Sequence, residues 1–537
     1  LLEAVVGLQC PVVVALNKVD VARQEGRPVD VEVLSEGLGL PVVETQAHRG
    51  HGAVALGQAL SAARGAPAPP WKVEDPAALV ARSASSPETA GSTTLTDRVD
   101  ALLLHPVLGL PILLALFAGV FQLIFAGADP FIGWIEAGLG LLAGAVEALV
   151  APGALQSFLI DGLVNGVGSV LVFVPQIVIL IAIVTLLEAS GYMARAVFLL
   201  DRLLRAVGLS GKSFVPLVSS FACAVPGILA SRVITSETDR IATVVVAPLM
   251  SCSARLPVYV VLIGAFFEPA LAGWVLLGLY LLGIAVAALV AVGLRKTVLS
   301  GGESTLMMEL PTYQSPSWRV VVSQTVGALR AFVVLAGTII FAASIIIWLL
   351  SYYPRPAAVH EASEAERVAL VQSVERGERD AAALERDLAQ VDAREAAAYL
   401  EASYLASLGK GLQPLFAPAG FDWRTTVGVV ASFPARELII PTLGILYSLG
   451  DVDAGDYEVG AMTSPVAAGG LRATLRNATD AEGRRTFNPL VALSIMIFFA
   501  LCSQCAATLG VIRRETRSWR WPVFTFTYMT VFAWVAS

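Results

Sequence analysis

Four cysteines stand where a metal ion could meet them. Cys223 and Cys252 each lie in an apolar run interrupted by proline or glycine. The runs read Phe221-Ala222-Cys223-Ala224-Val225-Pro226-Gly227 and Pro248-Leu249-Met250-Ser251-Cys252-Ser253-Ala254-Arg255-Leu256-Pro257. Cys502 and Cys505 are spaced i, i+3, which would place them on one helix face. Thiolate and thioether sulfur are soft ligands that suit transition metals better than Mg2+ or Na+. Met193 and Met250 supply thioethers, and Glu188 and Glu437 supply carboxylates. Breakers in an apolar run free backbone carbonyls and focus helix dipoles near the bilayer midplane, where transporters bind ions. Each residue also has a plainer reading. A cysteine in an apolar helix serves as a small apolar residue, Met193 and Met250 serve as packing, and Glu437 serves as a partner for Arg436. Glu188 and Arg255 within such runs are costly unless paired or turned to a cavity.

A second chemistry lies near the start of the chain. Pro11-Val12-Val13-Val14-Ala15-Leu16 has the β-branched character of a buried strand, and Asn17-Lys18-Val19-Asp20 follows directly. An Asp carboxylate at the end of such a loop accepts from the N1–H and the exocyclic amine of guanine, a pair that adenine does not offer. Asn17 holds the loop and reaches the base edge, and the Lys18 stem packs over the ring. The plainer reading is a surface turn after a strand. A further strand, Pro41–Glu44, leads to Thr45-Gln46-Ala47, where the backbone at Ala47 would touch the base. The phosphate-handling parts are absent from residues 1–100. No G-x-x-x-x-G-K-S/T string occurs there, so no backbone cradle for phosphates is encoded. No Asp-x-x-Gly precedes Asn17, and the chain opens on Leu1 without Met. The expectation is a fragment whose missing parts lie upstream. Gly211-Lys212-Ser213 resembles the end of a phosphate loop, but Ala206 stands where its first Gly belongs.

The elements that must position these residues follow from composition. The chain has 537 residues, 56% hydrophobic and 15% charged, against about 25% charged in a soluble domain. Charge gathers in residues 1–100 and 355–402, and apolar runs near 20 residues lie between. Runs of that length cross a hydrocarbon core of about 30 Å as helices. The alternation of a membrane β-barrel and the basic patch of a nucleic-acid binder are both absent. Cysteine placement argues against a disulfide scaffold. Candidate membrane segments fall at roughly 106–126, 162–187, 213–233, 241–264, 271–294, 329–352, 424–448, 488–510 and 521–536, with 131–150 as an interfacial helix. Lys and Arg cluster in three short loops that cannot all be cytoplasmic if every segment crosses. Proline within 213–233 and 424–448 resolves the conflict, leaving seven full spans and two broken segments. Residues 355–402 read as a solvated helical hairpin, a spacer. Val218-Ser219-Ser220-Phe221 echoes Val430-Ala431-Ser432-Phe433, which hints at two repeats facing each other.

At these residues the chain resembles the ferrous iron transport protein B (FeoB) family. The resemblance is carried by Gly162–Ile177, Gly191–Arg195 with Asp201-Arg202, Gly208–Phe214, Phe221–Gly227, Ala247–Pro257, Gly420–Arg424 and Arg513–Thr516. It implies a mostly α-helical polytopic membrane protein with two gate-type repeats, preceded by the C-terminal remnant of an α/β P-loop GTPase domain. The implied domains are 1–65 (G domain part), 66–100 (shortened helical spacer), 101–300 (first gate repeat and following spans), 301–328 (cytoplasmic loop) and 329–537 (second gate repeat, with a soluble insert at 355–405). It implies Fe2+ import across the bacterial inner membrane, regulated by GTP with Mg2+, and an N-terminal region in the cytoplasm. The family hydrolyses GTP; this stretch of it, lacking the phosphate loop, is expected not to. Implied partners are lipid, Fe2+, guanine nucleotide, a small cytoplasmic SH3-like protein and further copies of the chain, with no nucleic acid. Family cysteines proposed to line the iron path match Cys223, Cys252 and Cys505. Ser503 stands where the family often has Met, and Cys502 is extra, which shifts a soft ligand by one residue. Competing expectations are transport of Mn2+ or Zn2+, a small-solute permease, and a membrane-anchored GTPase sensor.

Overall fold

The computed structural model describes residues 2–6, 10–24, 28–47, 50–64, 73, 75–83, 95–105, 107–299, 313–376, 381–434, 436–446, 475–476, 478 and 485–537. The chain divides into two units, Leu1–Leu102 and Leu103–Ser537.

In the first unit, β1 (Val14–Asn17) and β2 (Val42–Thr45) pair in parallel, with Asn17 opposite Thr45. Between them lies α1 (Val31–Leu38). Asp30 caps its start by accepting from the amides of Glu32 and Val33, and Gly39 ends it at φ 66°. Leu38 and Leu40 pack with Val14 and Val42 in a small core. Gly52 turns the chain into α2 (Ala53–Ala63) at φ 82°, and a Cβ there would fall 2.2 Å from the Glu44 carbonyl. Only glycine fits that position.

The second unit is helical. It opens with α3 (Gly109–Leu149), one helix of 41 residues that runs through Pro130. The sequence reading of a span at 106–126 and a separate interfacial helix at 131–150 is therefore corrected. A membrane helix tolerates proline when neighbours re-satisfy the freed carbonyl. A π-helical stretch (Phe158–Val164), α4 (Asn165–Leu171) and α5 (Val174–Ala189) follow, and then α6 (Tyr192–Ala206). α6 departs from α5 at 88°, with Gly191 at φ 87° in the corner.

Two pairs of interrupted helices come next. α7 (Phe214–Ala222) and α8 (Ala224–Ala230) meet at Cys223, whose backbone is extended (φ −156°, ψ 132°). They fold back on each other so tightly that a Cβ on Gly227 would lie 2.7 Å from the Pro216 carbonyl. α9 (Glu237–Val246) and α10 (Leu256–Phe266) are separated by two 3-10 turns, with Met250 and Cys252 extended between them. α11 (Pro269–Thr297), α12 (Trp318–Phe332) and α13 (Thr338–Tyr352) are unbroken in the sense of the ladder, α12 and α13 joining through a π-turn at Val333–Gly337. α14 (Ala357–Glu375) and α15 (Ala381–Ala402) form the inserted hairpin, and α16 (Tyr404–Phe416) follows. A second set of two interrupted helices follows, α17 (Trp423–Ala431) with α18 (Ile439–Leu446), and α19 (Pro489–Leu501) with α20 (Ala506–Thr516). α21 (Arg520–Ala536) closes the chain.

Segments 241–264 and 488–510, read from sequence as full spans, are long and apolar enough to cross, as Glu237–Phe266 and Pro489–Thr516, but each is unwound inside, at Met250–Cys252 and Cys502–Cys505. With 213–233 and 424–448 that makes four interrupted segments among the described residues, apart from the bend at Gly191. For the same reason Cys502 and Cys505 do not share a helix face: both are in extended backbone between α19 and α20. Through an apolar 18-residue stretch of each broken span, Glu237–Phe266 and Pro489–Thr516, 72% is buried, against 11% for that of Trp318–Tyr352. Interrupted helices thus occupy the centre and continuous ones the rim. Leu271, Trp274, Leu277, Leu281 and Ile284 form an exposed stripe on α11, the face that lipid would cover.

The two pairs are oriented oppositely. At one end, Arg232 beside α8 bonds Glu515 of α20 at 2.5 Å, and Arg295 of α11 bonds the Gly208 carbonyl and Asp239 of α9. At the other end, the Tyr404 amide donates to the Tyr353 carbonyl at 2.8 Å, and Trp534 Nε1 to the Leu415 carbonyl at 2.7 Å. The α7/α8 hairpin opens toward the first, basic end. The α17/α18 hairpin opens toward the second, where Leu446 packs with Leu400, Leu405 and Trp423. The α14/α15 hairpin is held by Arg367 with Asp392 (2.7 Å) and Glu395, and by His360 with Glu395 (3.1 Å). It is not a free spacer. Leu400 belongs to a buried cluster with residues of α16 and α17.

Candidate functional site

The four interruptions converge. Cys223, Met250, Cys252 and Cys505 line one small chamber of about 90 Å³, together with Phe332 and Arg436. Each sulfur arrives by the same device, a residue in extended backbone between two half-helices. The ends of those half-helices carry carbonyls that no ladder satisfies, and the chain answers them with buried donors. Ser253 Oγ donates to the Ala222 carbonyl at 3.3 Å, joining the first two breaks. Arg255, fully buried, donates to the carbonyls of Leu249 (3.3 Å) and Pro248 (3.1 Å) and to Ser251 Oγ. Arg436, 5% exposed, reaches across from the α17/α18 turn to the carbonyls of Gln504 and Cys502, both at 3.1 Å. Gln504 returns the contact: its Nε2 donates to the Val429 carbonyl at 3.0 Å, and its Oε1 accepts from Ser432 Oγ at 3.1 Å.

Other sequence-selected residues lie elsewhere. Cys502 is buried and offers its carbonyl to Arg436; it is not among the chamber residues. Met193 packs with Leu113, Phe117 and Phe214, and it borders, with Glu188, a separate cavity of about 570 Å³. The Glu437 side chain falls outside the described residues. Among the described residues no three His, Cys, Asp or Glu side chains come together as a formed metal site. The chamber therefore offers a few soft groups, not a cage. Arg436, Gln504 and Ser432 were missed from sequence. Their only signal was an arginine and an amide inside apolar runs.

Three cavities follow one another along the protein. The continuous helix Trp318–Tyr352 passes the 570 Å³ cavity at Gly327 and Ala331, the chamber at Phe332 and Ile340, and a third cavity of about 410 Å³ at Ser344 and Trp348. The segment Phe158–Ala189 passes the same three in reverse, at Asn165, Ile177 and Glu188. Gly327 and Trp348 are about 31 Å apart at 1.5 Å per helical residue, close to the thickness of a hydrocarbon core. The outer cavities thus lie at opposite membrane-scale ends, with the chamber between them.

In the first unit, Asn17 Oδ1 accepts from the Ala47 amide at 3.0 Å, so the two loops singled out in the sequence meet. Lys18 takes a left-handed turn (φ 63°), and Asp20 begins the helix Val19–Gln24. Asn17, Lys18 and Ala47 are exposed, and Arg23 pairs with Glu44 alongside at 2.7 Å. Gly211-Lys212-Ser213 has a structural role. The Gly211 amide donates to Asp201 Oδ1 at 3.0 Å, and Ser213 Oγ bonds Thr243 at 2.7 Å. An amide committed to a carboxylate does not cradle phosphate.

Three family descriptions match the chain. Ferrous iron transport protein B matches residues 1–60, nucleoside recognition (the Gate family) matches 170–266 and 333–519, and the ferrous iron transport protein B C terminus matches 276–327. The chain belongs to the ferrous iron transport protein B family. Among FeoB relatives, the Fe(2+) transport protein A/Fe(2+) transporter FeoB fusion protein of Porphyromonas gingivalis is 40% identical over 83% of this chain and 51% of its own length. The Fe(2+) transporter FeoB of Leptospira biflexa is 38% identical over 81% of this chain and 58% of its own length. That of Campylobacter jejuni is 34% identical over 82% and 64%. The chain spans about half to two-thirds of the length of these FeoB relatives. No solved structure matches it.

Proposed function

We propose that this chain carries the ion path of a ferrous iron importer, with part of the GTPase domain that regulates it. The observation that carries the reading is the convergence of Cys223, Met250, Cys252 and Cys505 from three helix interruptions, with Arg436 from the fourth. Soft sulfur ligands favour late divalent transition metals over Mg2+, Ca2+ and Na+. The chamber is too small for the other solutes considered. Small-molecule sites usually measure about 300–1,000 Å³, so a chamber near 90 Å³ does not fit a nucleoside. Each sulfur that ligates the ion replaces a water of its inner shell, so the ion sheds water as it binds here. Bonding to thiolate releases the thiol protons, and a small ligand number keeps binding weak enough for release.

The two interrupted pairs are read as inverted gate-type repeats, α7–α10 from the basic end and α17–α20 from the other. Lys212, Arg232, Arg295 and Arg513 at one end support a cytoplasmic position for that end, with the protein in the inner membrane. Asn17, Lys18, Asp20 and Ala47 fit a guanine base. The Asn17–Ala47 contact fixes the base-reading loops, Asp20 supplies the acceptor for guanine, and GTP bound there would bias the gate. The residues present do not fit Mg2+ held on phosphates, and no step is assigned to it. The relative that fuses transport protein A to the transporter supports a small separate partner for this chain.

The test is influx of Fe2+ into proteoliposomes under anaerobic reducing conditions, read by a trapped chelating dye. Wild type and Cys223→Ser/Cys252→Ser are compared at equal insertion. Loss of influx in the double variant is expected. Equal influx would remove the cysteines from the path, and selective influx of Mn2+ or Zn2+ would reassign the cargo.

A further inference from the structure

The third cavity, about 410 Å³, differs in chemistry from the sulfur chamber. In a mainly apolar wall it carries a few oxygen-bearing groups, among them Asp161, Asn165, Ser344 and Tyr399. Asp161 lies in the π-helical stretch Phe158–Val164, the kind of local irregularity that clusters at functional positions. Its carboxylate is positioned by a chain of donors. Ser157 Oγ donates to Asp161 Oδ2 at 2.7 Å, and Trp348 Nε1 donates to Ser157 Oγ at 3.0 Å. Among the described residues no protein donor is placed on Oδ1. Among the described residues that line it, Asp161 is the only carboxylate. The cation on the same wall, Arg355, has its guanidinium against the rings of Tyr352 and Tyr399, 4.3 Å from each centroid. That stack ties the end of α13 to α15 of the inserted hairpin, and Ala396, Tyr399 and Leu400 of α15 form one side of the cavity.

We propose that this vestibule is a docking site for a hydrated divalent cation, with Asp161 as its charge and the α14/α15 hairpin as its wall. Hard oxygen groups suit an ion that still carries its water, and this cavity is more than four times the volume of the sulfur chamber. The vestibule lies on the side of the chamber away from the basic end. The proposal rests on the transport reading for its place in a path, but the docking itself does not. At an outer-sphere separation near 6 Å in water, the attraction of one carboxylate for a dication corresponds to about a tenfold change in occupancy.

Binding of Mn2+ to the purified full chain, followed by loss of the free-ion electron paramagnetic resonance signal, tests docking without transport. Wild type, Asp161→Asn, Asp161→Glu, Asn165→Asp and the Cys223→Ser/Cys252→Ser chain are compared. One site is expected in wild type, weakened about tenfold in Asp161→Asn, kept in Asp161→Glu and in the cysteine variant, and tightened in Asn165→Asp. The last is a gain that misfolding cannot imitate. In proteoliposomes the same Asp161→Asn change should raise KM for Fe2+ about tenfold at unchanged kcat. Unaltered Mn2+ binding in both Asp161→Asn and Asn165→Asp overturns the vestibule. Absent Fe2+ influx in wild type with normal Mn2+ binding overturns the transport reading and leaves the vestibule standing.

Discussion

Arg436→Lys isolates what the guanidinium fork does. The charge stays and the stem is similar, but one ammonium cannot serve two carbonyls as a planar fork does. In the native protein the fork spans the Gln504 and Cys502 carbonyls at 3.1 Å each, in a site that is 5% exposed. A hydrogen bond from a charged donor contributes about 1.5–3 kcal/mol net. Losing one leaves the break at Cys502–Cys505 less stable by about 2 kcal/mol, roughly thirtyfold in its local opening equilibrium. The direct assay is hydrogen–deuterium exchange of the backbone across Cys502–Ala506 in the detergent-solubilised chain, where protection should fall about thirtyfold. Fe2+ influx should fall with it, since Cys505 is placed by that backbone. Protection and influx equal to wild type would refute the argument that the fork holds the break.

Further outcomes follow from other contacts. Gly227→Ala puts a methyl 2.0 Å from Ser220 Oγ and 2.7 Å from the Pro216 carbonyl, so overpacking of the α7/α8 hairpin should cost about 1–3 kcal/mol in thermal unfolding. Asp20→Asn should abolish the preference for guanine over adenine nucleotides in titrations of the chain, because the acceptor becomes a mixed donor and acceptor. Burial would raise the Glu395 carboxyl, but hydrogen bonds from His360 and Arg367 outweigh it and hold it below its usual 4.5. Its contribution to the α14/α15 hairpin is therefore present above pH 4.5 and lost as pH falls through the depressed value. Exchange protection of 357–402 should drop on acidification below pH 4.5, and Glu395→Gln should flatten that dependence.

Local signals in the chain were enough for some elements and silent for others. The α/β start was legible because Val12–Leu16, the Asp30 cap and Gly39 act within a few residues of each other. The breaks at Cys223 and after Ser432 carry proline close by, so they too announce themselves. The break at Cys502–Cys505 has neither proline nor glycine inside it. It is held from outside by Arg436 and by the Phe433 carbonyl, which accepts from the Ala506 amide at 3.2 Å. A cause that lies about 70 positions away leaves no local trace. The reverse error occurred at 131–150, where Glu136 and Glu147 suggested a separate interfacial helix, whereas α3 runs on through that stretch and through Pro130. Cys223, Met250, Cys252 and Cys505 could be chosen by ligand type. Sorting Met193 and Glu188 away from them needed the path of α5 and α6, since the bend at Gly191 carries both to another cavity.

The two interrupted pairs present the same frame to both faces of a membrane, turned over. Such a frame has no forward direction of its own, and thermodynamics alone fixes the final gradient of the cargo. Whatever asymmetry the protein imposes lies at its mouths: a carboxylate at Asp161 on one side, Lys212 and Arg232 on the other. On the proposed transport reading, mouths of opposite character set different half-saturation concentrations on the two sides without moving the equilibrium, and the side bearing Asp161 is the one that works from scarcity.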